Sequence, residues 1–559
     1  MPTGPHYKWI ALSNTTLGVL MATINASIML IALPDIFRGI GVNPLDPGNT
    51  SLLLWLIMGY LVVTAVLVVS FGRLGDMFGR VKMFNLGFAI FAAFSVALSL
   101  TWMHGTAAAW WLIVMRLLQG VGGAMLLANS SAILTDAFPH SERGLALGLN
   151  QVAGIAGSFI GLVLGGVLSE ISWRAIFWVS VPVGIVGTIW SYRSLHEVGG
   201  QPRGRLDVLG NLTFAAGLGA VLAAITYGIQ PYGGHSMGWT NPWVLLGLIG
   251  GGLMLVVFCI VESRVAEPMF QLGLFRIRAF SAGNLAGLLA SIGRGGLQFM
   301  LIIWLQGIWL PLHGYAFSST PLWAGIYLLP LTIGFLVAGP VSGALSDRFG
   351  ARAFATGGLT VVAIAFVGLL LLRTDFTYWQ FAALIALFGI GSGLFSAPNT
   401  TAIMNSVPAG QRGAAAGMQG TFFNAGTCLS IGVFFSLMIA GLAARLPTTL
   451  TAGLEQQGVS HHVAEQVGNL PPVGSLFAAF LGYNPLQSLL APTGELDRLP
   501  PANAARLTGH EFFPQLISAP FHHGLVVVFT AAVAMTLVAA LASLFRGSRY
   551  IHDDCVTTP

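Results

Sequence analysis

The feature that most constrains this chain is a series of long apolar runs separated by short polar ones. A helix needs about 20 apolar residues to cross the hydrocarbon of a bilayer. Fourteen stretches meet that length: 10–33, 52–71, 83–103, 109–134, 145–168, 175–195, 208–228, 242–262, 281–305, 322–345, 354–372, 379–403, 413–441 and 521–545. Closed barrels are the other way to satisfy a backbone in lipid, but their strands alternate apolar and polar at every second residue. None of these runs alternates. Only 8% of the 559 residues are charged, against about 25% in soluble domains, and the mean hydropathy is +0.80. The expected fold is an all-α polytopic membrane protein with fourteen transmembrane helices.

Basic residues fix the expected orientation. With the N-terminus inside, 16 of the 24 Lys and Arg fall in cytoplasmic segments, six outside and two within spans. Three of the outer six, Arg445, Arg498 and Arg506, share one long loop, which the positive-inside rule discounts. Both termini are therefore expected in the cytoplasm of a cell whose inner (cytoplasmic) membrane holds the chain. The first apolar run is too long for a cleavable signal peptide. The formal charge of +5 is almost wholly arginine, scattered singly among loops, which suits an anionic membrane surface rather than nucleic acid. Cys259, Cys428 and Cys555 encode no disulfide framework.

The chain is internally duplicated. Gly72-Arg73-Leu74-Gly75-Asp76-Met77-Phe78-Gly79 repeats its Gly-x-Leu-x-Asp-x-Phe-Gly spacing 271 residues later, in Gly343-Ala344-Leu345-Ser346-Asp347-Arg348-Phe349-Gly350. Pro139-x-x-x-Arg143-Gly144-x-Ala146-x-Gly148 matches Pro408-x-x-x-Arg412-Gly413-x-Ala415-x-Gly417 at an offset of 269. Such an offset spans eight helices and divides the chain 6+2+6. The expected units are an N-terminal six-helix bundle over 1–196, a linker with two inserted helices over 197–280, and a C-terminal bundle over 281–559. The last includes a large outer loop over 442–520. Residues 196–207 are the expected link between the first bundle and the insert.

Both hinges are charged turns clamped between apolar runs. Asp76 follows the end of helix 2, where a carboxylate can cap a neighbouring helix or pair with Arg80. A contact of that kind holds one arrangement of a bistable interface and breaks in the other. Gly72, Asp76, Gly79 and Arg80, with Asp347 and Arg348 in the second copy, are the expected conformational latch. In helix 5, Gly157, Gly161 and Gly165 recur every fourth residue and form a groove for close helix packing.

These motifs resemble the major facilitator superfamily, in particular its 14-helix drug:proton antiporter branch of multidrug efflux transporters. The hinge 72–82 is similar to the superfamily's loop between helices 2 and 3. Arg116-Leu117-Leu118-Gln119-Gly120-Val121-Gly122-Gly123 is similar to its helix-4 arginine motif, and Ser172-Trp173-Arg174-Ala175-Ile176-Phe177-Trp178 through Val181-Pro182-Val183-Gly184 to the start of helix 6. The resemblance implies alternating access between two rocking bundles around a mid-membrane site. Two departures stand out. Gly161-Leu162 occupies the place of a Gly-Pro pair, and Asn25 stands where the branch carries a helix-1 aspartate. An amide carries no proton at physiological pH.

Charges inside a bilayer cost about 2.5–3.5 kcal/mol each on insertion scales, so they are functional candidates. Few are present: Arg116 lies in helix 4 and Arg294 in helix 9, while Asp35, Asp136, Glu262 and Asp375 sit at helix ends. The 269-residue offset carries Asn25 onto Arg294. A central substrate cavity is therefore expected around Asn25, Arg294 and Arg116, with Met21 and Met29 as adaptable walls and Gln298 and Asn424 as further polar contacts. Its positive charge favours anionic or amphiphilic cargo with an apolar body.

No phosphate-binding Gly-x-x-x-x-Gly-Lys exists, because neither Lys8 nor Lys82 follows glycine. The paired histidines His461-His462 and His522-His523 lack metal-ligand spacing. Neither an enzyme nor a bound cofactor or metal is expected. The expected function is secondary active export of hydrophobic or amphiphilic small molecules such as drugs, by proton antiport, with protons and membrane lipids as the other partners. The alternatives are a lipid or glycolipid exporter, and a non-transporting receptor that uses the 442–520 loop.

Overall fold

A computed structural model describes residues 6–43, 46, 48–139, 142–197, 207–265, 268, 270–408, 411–482 and 484–547. Most of the expected linker, 198–206, lies outside the described residues, as does the tail 548–559. Among the described residues fourteen helices are long and apolar enough to cross a membrane. They are α1 (Tyr7–Ile40), α2 (Asn49–Phe78), α3 (Arg80–Ser99), α4 (Gly105–Ala137), α5 (Leu145–Ile171), α6 (Ala175–Ser194), α7 (Val208–Gly228) and α8 (Pro242–Glu262). The rest are α9 (Arg278–Leu312), α10 (Phe317–Ser346), α11 (Ala351–Leu371), α12 (Tyr378–Asn405), α13 (Ala414–Ala443) and α14 (Phe512–Leu544). Among the described residues the only β-type pairing is an isolated bridge between Tyr232 and His235.

The duplication reappears as packing. In the first half α1 packs on α5, α2 and α3 on α4, and α3 on α6; in the second, α9 packs on α13, α10 and α11 on α12, and α11 on α14. The two hinges are alike as well. Gly79 at φ 111° separates α2 from α3, and Gly350 at φ 90° precedes α11, positions where only glycine is unstrained. The insert α7–α8 is a hairpin resting against α2 and α13. Its second helix turns Leu246, Ile249, Leu253 and Val256 outward, as a lipid-facing surface requires.

Two helices outrun their apolar stretches. α14 begins at Phe512 rather than near residue 521, because His522, His523 and Gln515 mask its continuation; His523 Nδ1 lies 3.0 Å from the Gly441 carbonyl of α13. α9 continues through a π-helical turn, Leu305–Trp309, to Leu312. Between α13 and α14 the chain folds into a cap of short helices, including Leu446–Glu455, His461–Gly468, Pro472–Phe480 and Pro501–Thr508. Every residue of Pro472–Phe480 is buried, with Phe480 against the backbone of Gly307 in the π turn. The cap is a packed part of the second bundle. It marks one end of the molecule, the cap face; the two hinges mark the other, the hinge face.

Candidate functional site: a hollow between the bundles

Glycine lets the two bundles meet at the cap face. A Cβ on Gly166 would lie 2.4 Å from the Pro321 carbonyl of α10, and one on Gly325 would lie 3.1 Å from the Leu162 carbonyl of α5. Phe159 and Phe335 stack edge to face across the same seam at 5.2 Å. Among the described residues two polar ties cross it. Gln306 Nε2, in the π turn, donates to the Ile31 carbonyl at 3.0 Å, and Arg38 donates to the Phe317 carbonyl at 3.2 Å while paired with Asp35.

Toward the hinge face the bundles part. A vestibule of about 410 Å³ opens there, walled by α1, α2, α4 and α5 on one side and by the start of α13 on the other. It carries Gly72, Asp76, Arg80 and Asp136 on its first wall and Ala414, Met418, Gln419, Phe423 and Asn424 on its second. Two inner chambers of about 50 and 60 Å³ continue from it. Phe423 lines all three spaces, and Arg294 lines both inner chambers. No Asp or Glu lines either inner chamber among the described residues.

Arg294 is 8% exposed, and its guanidinium lies over the Phe423 ring at 4.7 Å from the centroid. Among the described residues it has no carboxylate partner. Gln298, one turn further along α9, lines the same chamber with an unpartnered Nε2, and Asn424 faces it from α13. Thr23, Ser27, Tyr60 and Ser158 complete the wall from the first bundle.

Asn25 and Arg116 lie elsewhere. Both are fully buried inside the first bundle. Arg116 Nη1 donates to the Asn25 side-chain oxygen and, at 2.9 Å, to Gln119 Oε1, while its guanidinium stacks 4.6 Å from the Tyr60 ring. Gln119 in turn donates to Ser95 at 2.8 Å, and Asn25 Nδ2 to Ser180 at 3.2 Å. A cation deprived of water needs such partners, and this network ties α1, α3, α4 and α6 together. Met21 and Met29 are likewise buried in the apolar interior. The structure thus brings Arg294, Gln298 and Asn424 together in the hollow and withdraws Asn25, Arg116, Met21 and Met29 from it.

The glycine stripe of α5 faces α1: a Cβ on Gly161 would meet the Ile24 carbonyl at 2.6 Å, and one on Gly165 the Ile28 carbonyl at 2.9 Å. At the first hinge Arg80 bridges two carboxylates, Asp76 at 2.7 Å and Asp136 at 2.6 Å. Asp76 does not cap α3. Glu197 does, accepting from the backbone N–H of Val81 at 3.0 Å and Lys82 at 3.2 Å. Glu197 falls in the expected linker and Asp136 at a helix end; their hinge partners are distant in the chain, so no local pattern points to them. Gly72 sits beside Ala128 of α4. At the second hinge Arg348 is exposed, and the Asp347 side chain lies outside the described residues.

Two bundles of helices long and apolar enough to cross a membrane, packed around a hollow, are the architecture of a multi-pass membrane protein. Residues 15–293 and 201–431 match the Major Facilitator Superfamily, and the chain belongs to that superfamily. It is 28% identical over 539 residues to the tetracenomycin C resistance and export protein of Streptomyces glaucescens, covering 96% of this chain and 91% of that one. It is 30% identical to the methylenomycin A resistance protein of Bacillus subtilis, covering 78% and 88% of the two chains. Identity to the riboflavin transporter RibZ of Clostridioides difficile is 28%, over 78% and 89%. Among solved structures, a bacterial homologue of the human lysosomal transporter Spinster shares the fold at a TM-score of 0.55 and 16% identity, covering 98% of this chain and 99% of its own.

Proposed function

We propose that this protein exports hydrophobic or amphiphilic small molecules, drugs among them, by proton antiport with alternating access, and that its preferred cargo carries negative charge. It would reside in the cytoplasmic membrane with both termini and the hinge face in the cytoplasm, as the distribution of its basic residues supports. The observation that carries the charge preference is Arg294: a buried cation without a carboxylate partner, beside an aromatic ring, in a chamber free of acids among the described residues. An acidic group on the cargo satisfies that cation, and Phe423 and Ile431 offer apolar surface to the remainder. The drug-resistance relatives support export.

The same geometry supports alternating access. The cap-face seam closes the outer side while the vestibule admits cargo from the hinge face. Closing the vestibule brings the Asp76–Arg80–Asp136 cluster toward the start of α13, where helix-terminal N–H groups attract carboxylates. That contact is the proposed latch. Among the described residues no carboxylate shares the inner chambers, so the proton is carried by a helix-end acid, Asp136 at the hinge face or Asp35 at the cap face.

Reconstitution into proteoliposomes tests the reading. Substrate-driven proton movement supports antiport, and loss of that movement in Asp136→Asn or Asp35→Asn while substrate flux persists identifies the carrier. Flux without proton movement would leave an uncoupled exporter of lipid or glycolipid type, and absence of flux a receptor. Arg294→Ala is expected to impair export of acidic compounds selectively; equal loss for neutral and cationic drugs would remove the charge preference.

A further inference from the structure

The two halves part company at the hinge face. In the first, Arg80 lies between Asp76 and Asp136, and Glu197 arrives from beyond α6 to cap α3. The 271-residue offset carries Arg80 onto Ala351, and the 269-residue offset carries Asp136 onto Asn405. Where the chain leaving α6 brings Glu197, the chain leaving α14 brings Arg546. Two of the first copy's acids are thus replaced by an amide and an arginine, while Asp76 keeps a counterpart in Asp347.

What results is a cavity of about 710 Å³ between the hinge-face ends of α9, α10, α11, α12 and α14. Arg348, Arg352 and Arg546 line it together with Thr356 and Asn405, and no carboxylate does so among the described residues. Arg348 and Arg352 are exposed at its mouth, whereas Arg546, 5% exposed, forms its floor. One Arg546 amino group donates to Asn399 Oδ1, and its Nε and Nη1 have no partner among the described residues. Burial lowers the Arg546 guanidinium to about 10, which leaves it charged at neutral pH. A buried cation so placed calls for an anion.

The rim says which anion. Phe349 is 72% exposed and Phe545 59%, with Leu544 beside it, so apolar surface adjoins the arginines. A soluble anion leaves those rings uncovered. A phospholipid covers them with its chains while its phosphate sits among the arginines, and basic pockets between helices at the cytoplasmic leaflet are suited to such head groups. We propose that this pocket binds the phosphate of an anionic membrane lipid, with Arg348 and Arg352 contacting it and Arg546 supplying charge from below.

The test is thermal unfolding of the purified full-length protein in neutral detergent, titrated with phosphatidylglycerol, phosphatidylcholine or inorganic phosphate. Phosphatidylglycerol is expected to raise the midpoint and phosphatidylcholine to leave it unchanged. Loss of one charge-assisted contact in Arg352→Gln weakens the phosphatidylglycerol response about tenfold. Arg546→Gln does the same, and since it also disturbs Asn399, the exposed Arg352 variant keeps the test decisive. Equal responses to the two lipids, or an unchanged response in Arg352→Gln, overturn the proposal. An equal shift from inorganic phosphate replaces the lipid by a soluble anion. A response confined to the Asp553→Asn/Asp554→Asn double variant shows that the chain's own tail fills the pocket, and likewise overturns it.

Discussion

Replacing Asp136 with Asn keeps the shape of the first hinge while removing one of the two charges that hold Arg80. The three side chains are each about a quarter exposed (24% for Arg80, 28% for Asp76 and 24% for Asp136), so solvent screens them only in part. Two unit charges 4 Å apart interact by about 4 kcal/mol at an effective dielectric of 20. Regained hydration and the retained amide acceptor reduce the net loss to about 2 kcal/mol, the usual scale of a charge-assisted hydrogen bond. If the cluster biases the bundles between two arrangements, that loss shifts their ratio by about 30-fold. Asp76→Asn acts on the same arginine, so the double variant should depart from additivity by at least about 0.5 kcal/mol. The assay is substrate flux in proteoliposomes, with the unfolding midpoint as a control for folding. Flux within twofold of the wild type in a well-folded Asp76→Asn or Asp136→Asn protein would refute the latch and leave the cluster as a brace within one bundle.

Other variants separate packing from gating. Gly161→Ala should lose about 1–3 kcal/mol of stability, because its Cβ meets the backbone carbonyl of Ile24; Gly157→Ala should lose less, since its nearest neighbour is the movable Thr23 hydroxyl. An equal fall in detergent unfolding midpoint for the two would count against this account. Gln306→Leu removes the tie to Ile31, worth about 1 kcal/mol, and should raise cap-side labelling of a cysteine at Leu162 by about fivefold in a background lacking Cys259, Cys428 and Cys555. In the cap, the Ser460 hydroxyl and backbone N–H hold the Glu495 carboxylate below its ordinary value, and Glu455 raises His461 above 6.5. The Glu495 contribution is complete above the ordinary carboxylate range and is lost as pH falls through its lowered value. The His461 contribution is complete below 6.5 and is lost as pH rises through its raised value. Hydrogen-exchange protection of residues 455–461 should therefore decline from pH 6 toward pH 9, and a flat profile would dismiss the His461–Glu455 pair.

The sequence by itself determined the solvent and the plan. Runs of about 20 apolar residues permit only helices in lipid, so fourteen spans follow, and the repeated Gly-x-Leu-x-Asp-x-Phe-Gly hinge announces the repeated packing of helix pairs. Glycine at 79 and 350 marks the breaks because no other residue adopts those angles without strain. Spacing also placed Arg116 and Arg294 well inside their helices. It did not give the direction in which they point. These helices are apolar all round, since lipid and protein interior favour the same side chains, so periodicity does not tell a lipid face from a core or cavity face. Tertiary packing alone turned Arg116 and Asn25 toward each other inside one bundle and left Arg294 with Gln298 and Asn424 on the hollow. It alone brought Asp136 and Glu197 to the hinge, across 56 and 116 residues of chain. Which buried charge is bound within a bundle, and which faces the hollow, is a property of how helices are rotated against one another.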